Sequence, residues 1–318
     1  MKNFIEELEW RGLIQDKTNQ TDFKYFNDSL IVGYAGFDPT SDSLHIGNLV
    51  PIMLLTHLQR CGHKPIALIG GATGRIGDPS GKSNERILLD SNIISTNMKS
   101  IKVQLSKFLR FDDSISGALL LDNYSWIKEK LFLDFLNEIG TNISINYMVS
   151  KDSVKNRIDR EEGDGISYTE FCYQLFQGYD YLYLNRNYNC SLQLGGSDQW
   201  GNIITGLDLI KKIDKKSVHG VTAPLVKKAD GSKFGKSEKG NIWLDSKKTT
   251  HKEFYNYWYS SSDEEAEKYM KIFTLLEKEK IEDVLMIHKS DPAKKILQLT
   301  LANYVTSFVH GEAALNFK

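Results

Sequence analysis

Residues 30–54, LIVGYAGFDPTSDSLHIGNLVPIML, decide the architecture. The apolar run Leu30-Ile31-Val32 opens a strand that ends at Tyr34. Turn-forming residues follow, and Ile46, Leu49, Val50, Met53 and Leu54 then recur at the spacing that puts them on one helix face. The unit is strand, turn, helix, with the helix running on to Arg60. Pro51 is tolerated because amides of the first turn have no intrahelical acceptor. Small Gly47 lets a ligand approach the backbone closely, and the free N–H groups of a helix N-terminus attract phosphate. Taken alone, His45 also reads as a capping or core histidine.

The alternation continues outward. Pro65-Ile66-Ala67-Leu68-Ile69 and Leu119-Leu120-Leu121 are further apolar strands among helical stretches, which predicts an α/β fold with a parallel sheet and crossover helices. Near the end the pattern changes. Ser262 with Glu265 forms a capping box before Tyr269, Ile272 and Phe273, and Pro292 stands at a first helical position before Ile296, Leu299 and Leu301. Roughly the last seventy residues therefore predict a small all-helical domain. Residues 227–240, KKADGSKFGKSEKG, are polar, basic and Gly-rich and read as a mobile loop between the two.

Bulk properties exclude several classes. The 318 residues are 41% hydrophobic and 25% charged, the composition of an ordinary globular chain of one or two domains. Forty basic against forty-one acidic residues leave a net charge of -1, so any contact with nucleic acid must come from local patches. Cys61, Cys172 and Cys190 stand far apart with no CxxC pair, against a disulfide framework and against a zinc site. Acids among the apolar residues of the N-terminus and the lack of a long apolar run speak against a signal peptide or a membrane span, so a cytoplasmic protein is expected.

Four segments carry chemistry. Beside the first, Gly70 to Lys82 (GGATGRIGDPSGK) follows a strand and imitates a phosphate-binding loop, but GxxxxGK[ST] requires glycine where Ile76 stands, and no GxGxxG occurs. Asp78, Lys82 and Arg86 nonetheless cluster beyond the carboxyl end of a parallel strand, where such sheets place ligands. In the third segment Tyr173, Gln177 and Asp180 share one helix face although all are polar, so the face meets either solvent or a pocket. The fourth pairs Gln193-Leu194-Gly195-Gly196-Ser197-Asp198-Gln199-Trp200-Gly201-Asn202 with Lys233-Phe234-Gly235-Lys236-Ser237 downstream. Adjacent glycines and a carboxylate suit vicinal ribose hydroxyls, and two lysines three apart on a glycine-containing loop suit a clamp on a triphosphate.

In this order and spacing the segments closely resemble the bacterial tyrosyl-tRNA synthetases, class I enzymes with a Rossmann catalytic domain. His45-Ile46-Gly47-Asn48 is similar to their HIGH signature and Lys233-Phe234-Gly235-Lys236-Ser237 to KMSKS, while GGSDQWGN and the DPTxxSLHIG run are particular to the tyrosine enzymes. The resemblance covers roughly residues 5 to 315.

It implies activation of tyrosine by ATP and transfer to tRNA(Tyr), with Mg²⁺ accompanying ATP and no protein-bound metal or organic cofactor. Tyr34 and Asp180 would bind the phenolic hydroxyl; Asp78, Tyr173 and Gln177, supported by Asn123, the ammonium group; and Gln193 and Gln199 would complete the pocket. Thr40, His45 and Asn48 would hold ATP phosphates and ribose, with Gly36, Asp38 and Gly47 beside them. Gly196 and Asp198 would take the ribose hydroxyls, and Leu225 with Val226 the adenine. Lys82, Arg86, Lys233 and Lys236 would close over the pyrophosphate. Asn48 stands where the family has a second histidine, and Phe234 and Gly235 replace the Met and Ser of the generic motif. The implied organisation is a catalytic domain over 1–226 with a helical connective segment at about 126–170, a loop region over 227–248 and a helical domain over 249–318. The family's anticodon-arm-binding domain is absent from the chain, which is expected to be the catalytic portion. A homodimer meeting near residues 140 to 170 is also implied. The rivals are a tryptophanyl-tRNA synthetase and a non-catalytic RNA-binding paralogue.

Overall fold

A computed structural model of the chain describes residues 3–18, 26, 29–80, 90–159, 165–227, 231, 234–237 and 240–317, with the side chains at 156, 236 and 237 excepted. Its elements are α1 (Phe4–Trp10), β1 (Asp16–Lys17), β2 (Val32–Phe37), α2 (Leu49–Arg60), β3 (Lys64–Ile69), α3 (Ser91–Leu105) and β4 (Leu119–Asp122). Five short helices follow: α4 (Tyr124–Ile127), α5 (Phe132–Glu138), α6 (Ile145–Val149), α7 (Asp152–Ile158) and α8 (Tyr168–Phe171). Then come α9 (Tyr173–Tyr188), β5 (Cys190–Gly196), α10 (Trp200–Asp214), β6 (His219–Ala223), and a small hairpin of β7 (Lys236–Ser237) and β8 (Gly240–Asn241). The chain ends in α11 (His251–Tyr259), α12 (Asp263–Phe273), α13 (Lys278–Ser290) and α14 (Ile296–His310).

The main sheet runs β1-β6-β5-β2-β3-β4, parallel throughout except for the edge strand β1. This is the α/β arrangement with a parallel sheet that the alternation predicts, and the Rossmann-like one that the resemblance implies. β2 extends three residues past the expected end at Tyr34, because its pairing with β3 continues to Phe37 opposite Ile69. Alternate strand residues feed two cores. Ala35, Phe37, Ala67 and Ile69 face α2, and Tyr34, Ile66 and Leu68 face α9 and α10.

The helical end is built as read, with one correction. Ser262 and Glu265 make the reciprocal capping box at α12. Pro292, however, heads its own short turn (Pro292–Lys294), and Lys295 at φ 49° separates that turn from α14. The final helices share the α2-side core, in which Phe4, Leu54, Phe254, Trp258 and Leu301 form one cluster. Arg11, fully buried, pairs with Glu7 at 2.8 Å and donates to the carbonyls of Lys271, Thr274 and Leu276, occupying orphan acceptors at the end of α12. Among the described residues no helix is long and apolar enough to cross a membrane.

Candidate active site

The sheet winds outward in both directions from β2 and β5, with β3 and β4 added on one side and β6 on the other. Loops leaving the carboxyl ends of the strands part at such a reversal, and the crevice between them is where open α/β sheets bind ligands. Here the crevice is a cleft of about 1090 Å³. Each strand supplies a wall: Asp38 and Thr40 follow β2, Thr73 and Asp78 follow β3, Asn123 follows β4, Asp198 and Gln199 follow β5, and Leu225 and Val226 follow β6.

Tyr34 and Gln193 are opposite one another in the β2–β5 register, and both are buried. The Tyr34 hydroxyl and the Gln193 Oε1 have no hydrogen-bond partner among the described residues. Asp180 enters the same region from α9, where its carboxylate accepts from Asn123 Nδ2 and Trp126 Nε1, both at 2.9 Å. Burial pushes the Asp180 carboxyl up to about 7; the two donors oppose this, and the charges of Asp38 and Asp122 add to it. Burial, with Asp180 second, also lifts the Tyr34 phenol well above its ordinary value. A hydroxyl donor and a carboxylate acceptor thus face the same cavity.

The polar face of α9 meets a pocket rather than solvent: Tyr173, Gln177 and Asp180 all line the cleft. Tyr173 donates to Asp38 Oδ2 at 3.0 Å, and Thr73 donates to the other oxygen of the same carboxylate at 2.7 Å. Gly70 has to be glycine here, since a Cβ would stand 2.0 Å from Asp38 Oδ1. Gln199 Nε2 donates to Asp78 at 2.7 Å and also reaches Asp198 at 3.3 Å. Gln177 Nε2 donates to Gln199 Oε1 at 3.3 Å. Asn123, expected beside the ammonium group, sits at the Asp180 end and ties that residue to Thr73 and to the Ala72 amide.

Along the cleft, His45 caps the short turn Ile46–Asn48. Its Nδ1 accepts from the Gly47 amide at 3.0 Å, and Asn48 Oδ1 accepts from the His45 amide at 3.0 Å. A neutral ring whose Nδ1 accepts carries its proton on Nε2. Capping and ligand-facing readings of His45 therefore coincide. The ring folds over Gly47, where a Cβ would lie 2.7 Å from Cε1. Gly36 and Gly196 line the same space, so backbone is open to a ligand there.

Two motifs far apart in sequence are tied together. Ile46 donates to the Ile242 carbonyl at 3.0 Å, Leu244 to the Leu44 carbonyl at 2.8 Å, and the rings of His45 and Trp243 meet edge to face at 6.0 Å. Ile242 in turn donates to Gly235 at 2.9 Å, and the Gly235 amide donates to the Tyr257 hydroxyl at 2.9 Å. Phe234 stacks on Phe273 at 5.2 Å and contacts Tyr257, Trp258 and Tyr269. Lys82, Arg86 and Lys233 lie outside the described residues, and Lys236 is described only as backbone in β7.

Trp126 and Trp243 carry site contacts from outside the four motifs, and Thr73 does so from within the 70–82 segment, where it was not singled out.

A family model of tRNA synthetases class I (W and Y) matches residues 27–316. A tyrosine–tRNA ligase of Bacteroides thetaiotaomicron is 53% identical over 315 residues, spanning 99% of this chain and 73% of that protein. One from Flavobacterium psychrophilum is 52% identical over 318 residues, with the same shares covered. Among solved structures, a C-terminally truncated mitochondrial tyrosyl-tRNA synthetase of Aspergillus nidulans superposes with a TM-score of 0.89 at 32% identity, over 100% of this chain and 92% of that one. A parallel sheet with crossover helices, a cleft at its strand reversal and this identity over nearly the whole length agree: the chain belongs to the class I tRNA synthetases of the tryptophan and tyrosine family.

Proposed function

We infer that the chain is a tyrosine–tRNA ligase, which joins tyrosine to ATP as tyrosyl-adenylate with release of pyrophosphate and then passes the tyrosyl group to the 3′-terminal ribose of tRNA(Tyr). The observation that carries the choice of amino acid is the buried Tyr34 hydroxyl beside the Asp180 carboxylate. A phenol donates to the Asp180 carboxylate and accepts from the Tyr34 hydroxyl. An indole N–H donates only, so tryptophan leaves the Tyr34 hydroxyl unmet at a cost of about 1–3 kcal/mol.

The remaining roles are those the family resemblance implies, and the lining of the cleft by the amino-acid and nucleotide residues supports them. Asp78, Tyr173 and Gln177 receive the ammonium group, with Gln193 and Gln199 completing the pocket. Thr40, His45 and Asn48 hold phosphates and ribose, Gly196 and Asp198 the ribose hydroxyls, and Leu225 with Val226 the adenine. The tyrosine carboxylate attacks the α-phosphorus in line; the P–O bond to pyrophosphate breaks and its electrons leave with that group. No side-chain nucleophile takes part. Holding two reactants in register supplies about 7–11 kcal/mol of barrier lowering, and each donor aimed at developing charge about 3–4 kcal/mol. His45 Nε2–H is one such donor, and Lys82, Arg86, Lys233 and Lys236 are the cations assigned to the leaving pyrophosphate. Mg²⁺ arrives with ATP, held mainly by phosphate and water oxygens.

We divide the chain into a catalytic domain at 1–226, a loop region at 227–248 and a helical domain at 249–318, and place the enzyme in the cytoplasm as a homodimer. The dimer surface is drawn from the connective helices, where Leu131, Phe132, Leu133, Ile145 and Tyr168 are each more than 60% exposed; large apolar side chains left in solvent are the material of an interface. ATP–pyrophosphate exchange is the test of function: it should run with tyrosine and fail with tryptophan. Exchange with neither amino acid would restore the non-catalytic reading.

A further inference from the structure

Behind the cleft wall lies Asn202, in the first turn of α10, 3% exposed and outside the lining of the cavity. Its Nδ2 stands 3.0 Å from Gln177 Oε1 and 3.4 Å from each of Gln199 Oε1, Asp78 Oδ1 and Ser80 Oγ. One amide nitrogen thus stands among oxygens from four residues that do line the cleft. The same residues form a chain with a single sense: Asn202 donates to Gln177, Gln177 donates to Gln199, and Gln199 donates to Asp78. In such a chain each amide is orientated by the one behind it, and Asn202, buried behind the wall, stands at its head.

We propose that Asn202 is a positioning residue for the amino-acid ammonium site: its NH₂ group holds the Gln177, Gln199 and Asp78 oxygens together at the spot where a substrate ammonium meets them. Three oxygens this close repel one another unless a donor stands between them. Asn202 supplies that donor from one side, and the substrate supplies a cationic one from the other. Without Asn202 the oxygens spread and the two glutamines are free to turn over. This role rests on the tyrosine-ligase reading, and it adds a residue that touches no reacting atom.

The test compares three ligands against wild-type protein and N202A by equilibrium binding: L-tyrosine, tyramine, which keeps the ammonium and lacks the carboxylate, and 3-(4-hydroxyphenyl)propionate, which keeps the carboxylate and lacks the ammonium. N202A should weaken tyrosine and tyramine about tenfold, which is about 1.4 kcal/mol, and change the propionate less than twofold. Equal weakening of all three makes Asn202 a structural residue only, and no weakening of tyrosine removes the role altogether. If N202A does not fold, N202S keeps one donor with shorter reach and should show a smaller loss confined to the two ammonium ligands; a loss shared by the propionate overturns the assignment. Failure of the wild-type protein to bind tyrosine is a different result, which counts against the ligase reading itself.

Discussion

Replacing Asp180 by asparagine separates what this residue costs the fold from what it gives the site. The buried carboxyl is pushed up to about 7 from an ordinary 3.8. A displacement of about three pKa units, at 1.36 kcal/mol each, makes the charged form about 4 kcal/mol unfavourable at pH 8. The sign follows from proton binding: between about pH 4 and 7 the native site holds a proton that the unfolded chain has released, so stability falls as pH rises through that window and levels off above it. Asparagine carries no charge and escapes the penalty. It loses something else, because Asn123 Nδ2 and Trp126 Nε1 each donate to one carboxylate oxygen and an amide has a single oxygen to offer. The orphaned donor costs about 1–3 kcal/mol. D180N should therefore be roughly 2 kcal/mol more stable than wild type at pH 8 and less stable than it near pH 4. Urea unfolding followed by circular dichroism at unit intervals of pH measures the difference directly, and tyrosine-dependent exchange should be nearly abolished throughout. A stability difference that stays flat from pH 4 to pH 8 would show that the buried carboxylate bears no such penalty.

Tyr34→Phe removes a buried hydroxyl that has no partner among the described residues, so the melting temperature should hold or rise by a few degrees while KM for tyrosine increases about tenfold; a lower melting temperature would mean the hydroxyl is already satisfied. Gly47→Ala forces a methyl against the His45 ring, and kcat for adenylate formation should drop at least tenfold with an unchanged far-ultraviolet spectrum, as stopped-flow fluorescence would show. Phe234→Ala takes a ring out of the cluster with Trp258, Tyr269 and Phe273, and should cost about 2–3 kcal/mol in unfolding while raising KM for ATP more than KM for tyrosine. Phe132→Asp puts a charge into the exposed apolar group on α5 and should convert a dimer to a monomer in light scattering; an unchanged mass would move the interface elsewhere.

β2, β3 and β4 were legible because each carries a short apolar run, and α9 because Tyr173, Gln177 and Asp180 keep helical spacing; β5 and β6 were not read as strands. What escaped was set by contacts distant in sequence. β1 is only Asp16 and Lys17, without an apolar pattern, and it exists because its backbone and the Asp16 carboxylate bond to Thr222, 206 residues away. The true end of β2 was hidden by Gly33 and Gly36, which interrupt the apolar run while the ladder to β3 continues. Trp126 stands in the connective segment, and nothing local says that its indole reaches Asp180 across 54 residues. Asn202 stands in a recognisable motif, but its task depends on three partners brought together only by the sheet.

Selectivity in this cleft follows from leaving groups unmet. In the free protein the Tyr34 hydroxyl and the Gln193 oxygen have no partner among the described residues, and Asp180 is held near neutrality by burial. Each is a local cost to folding, and a ligand that meets them recovers it on binding. Tyrosine brings a hydroxyl that donates and accepts at once. Phenylalanine fills the same volume, meets neither group, and leaves both penalties standing. Tryptophan meets one. Because the recovered free energy comes from the protein's own strained electrostatics, tyrosine should stabilise wild type against unfolding far more than it stabilises D180N, whose site has already shed the penalty. Equal stabilisation of the two proteins would place the source of selectivity in shape alone.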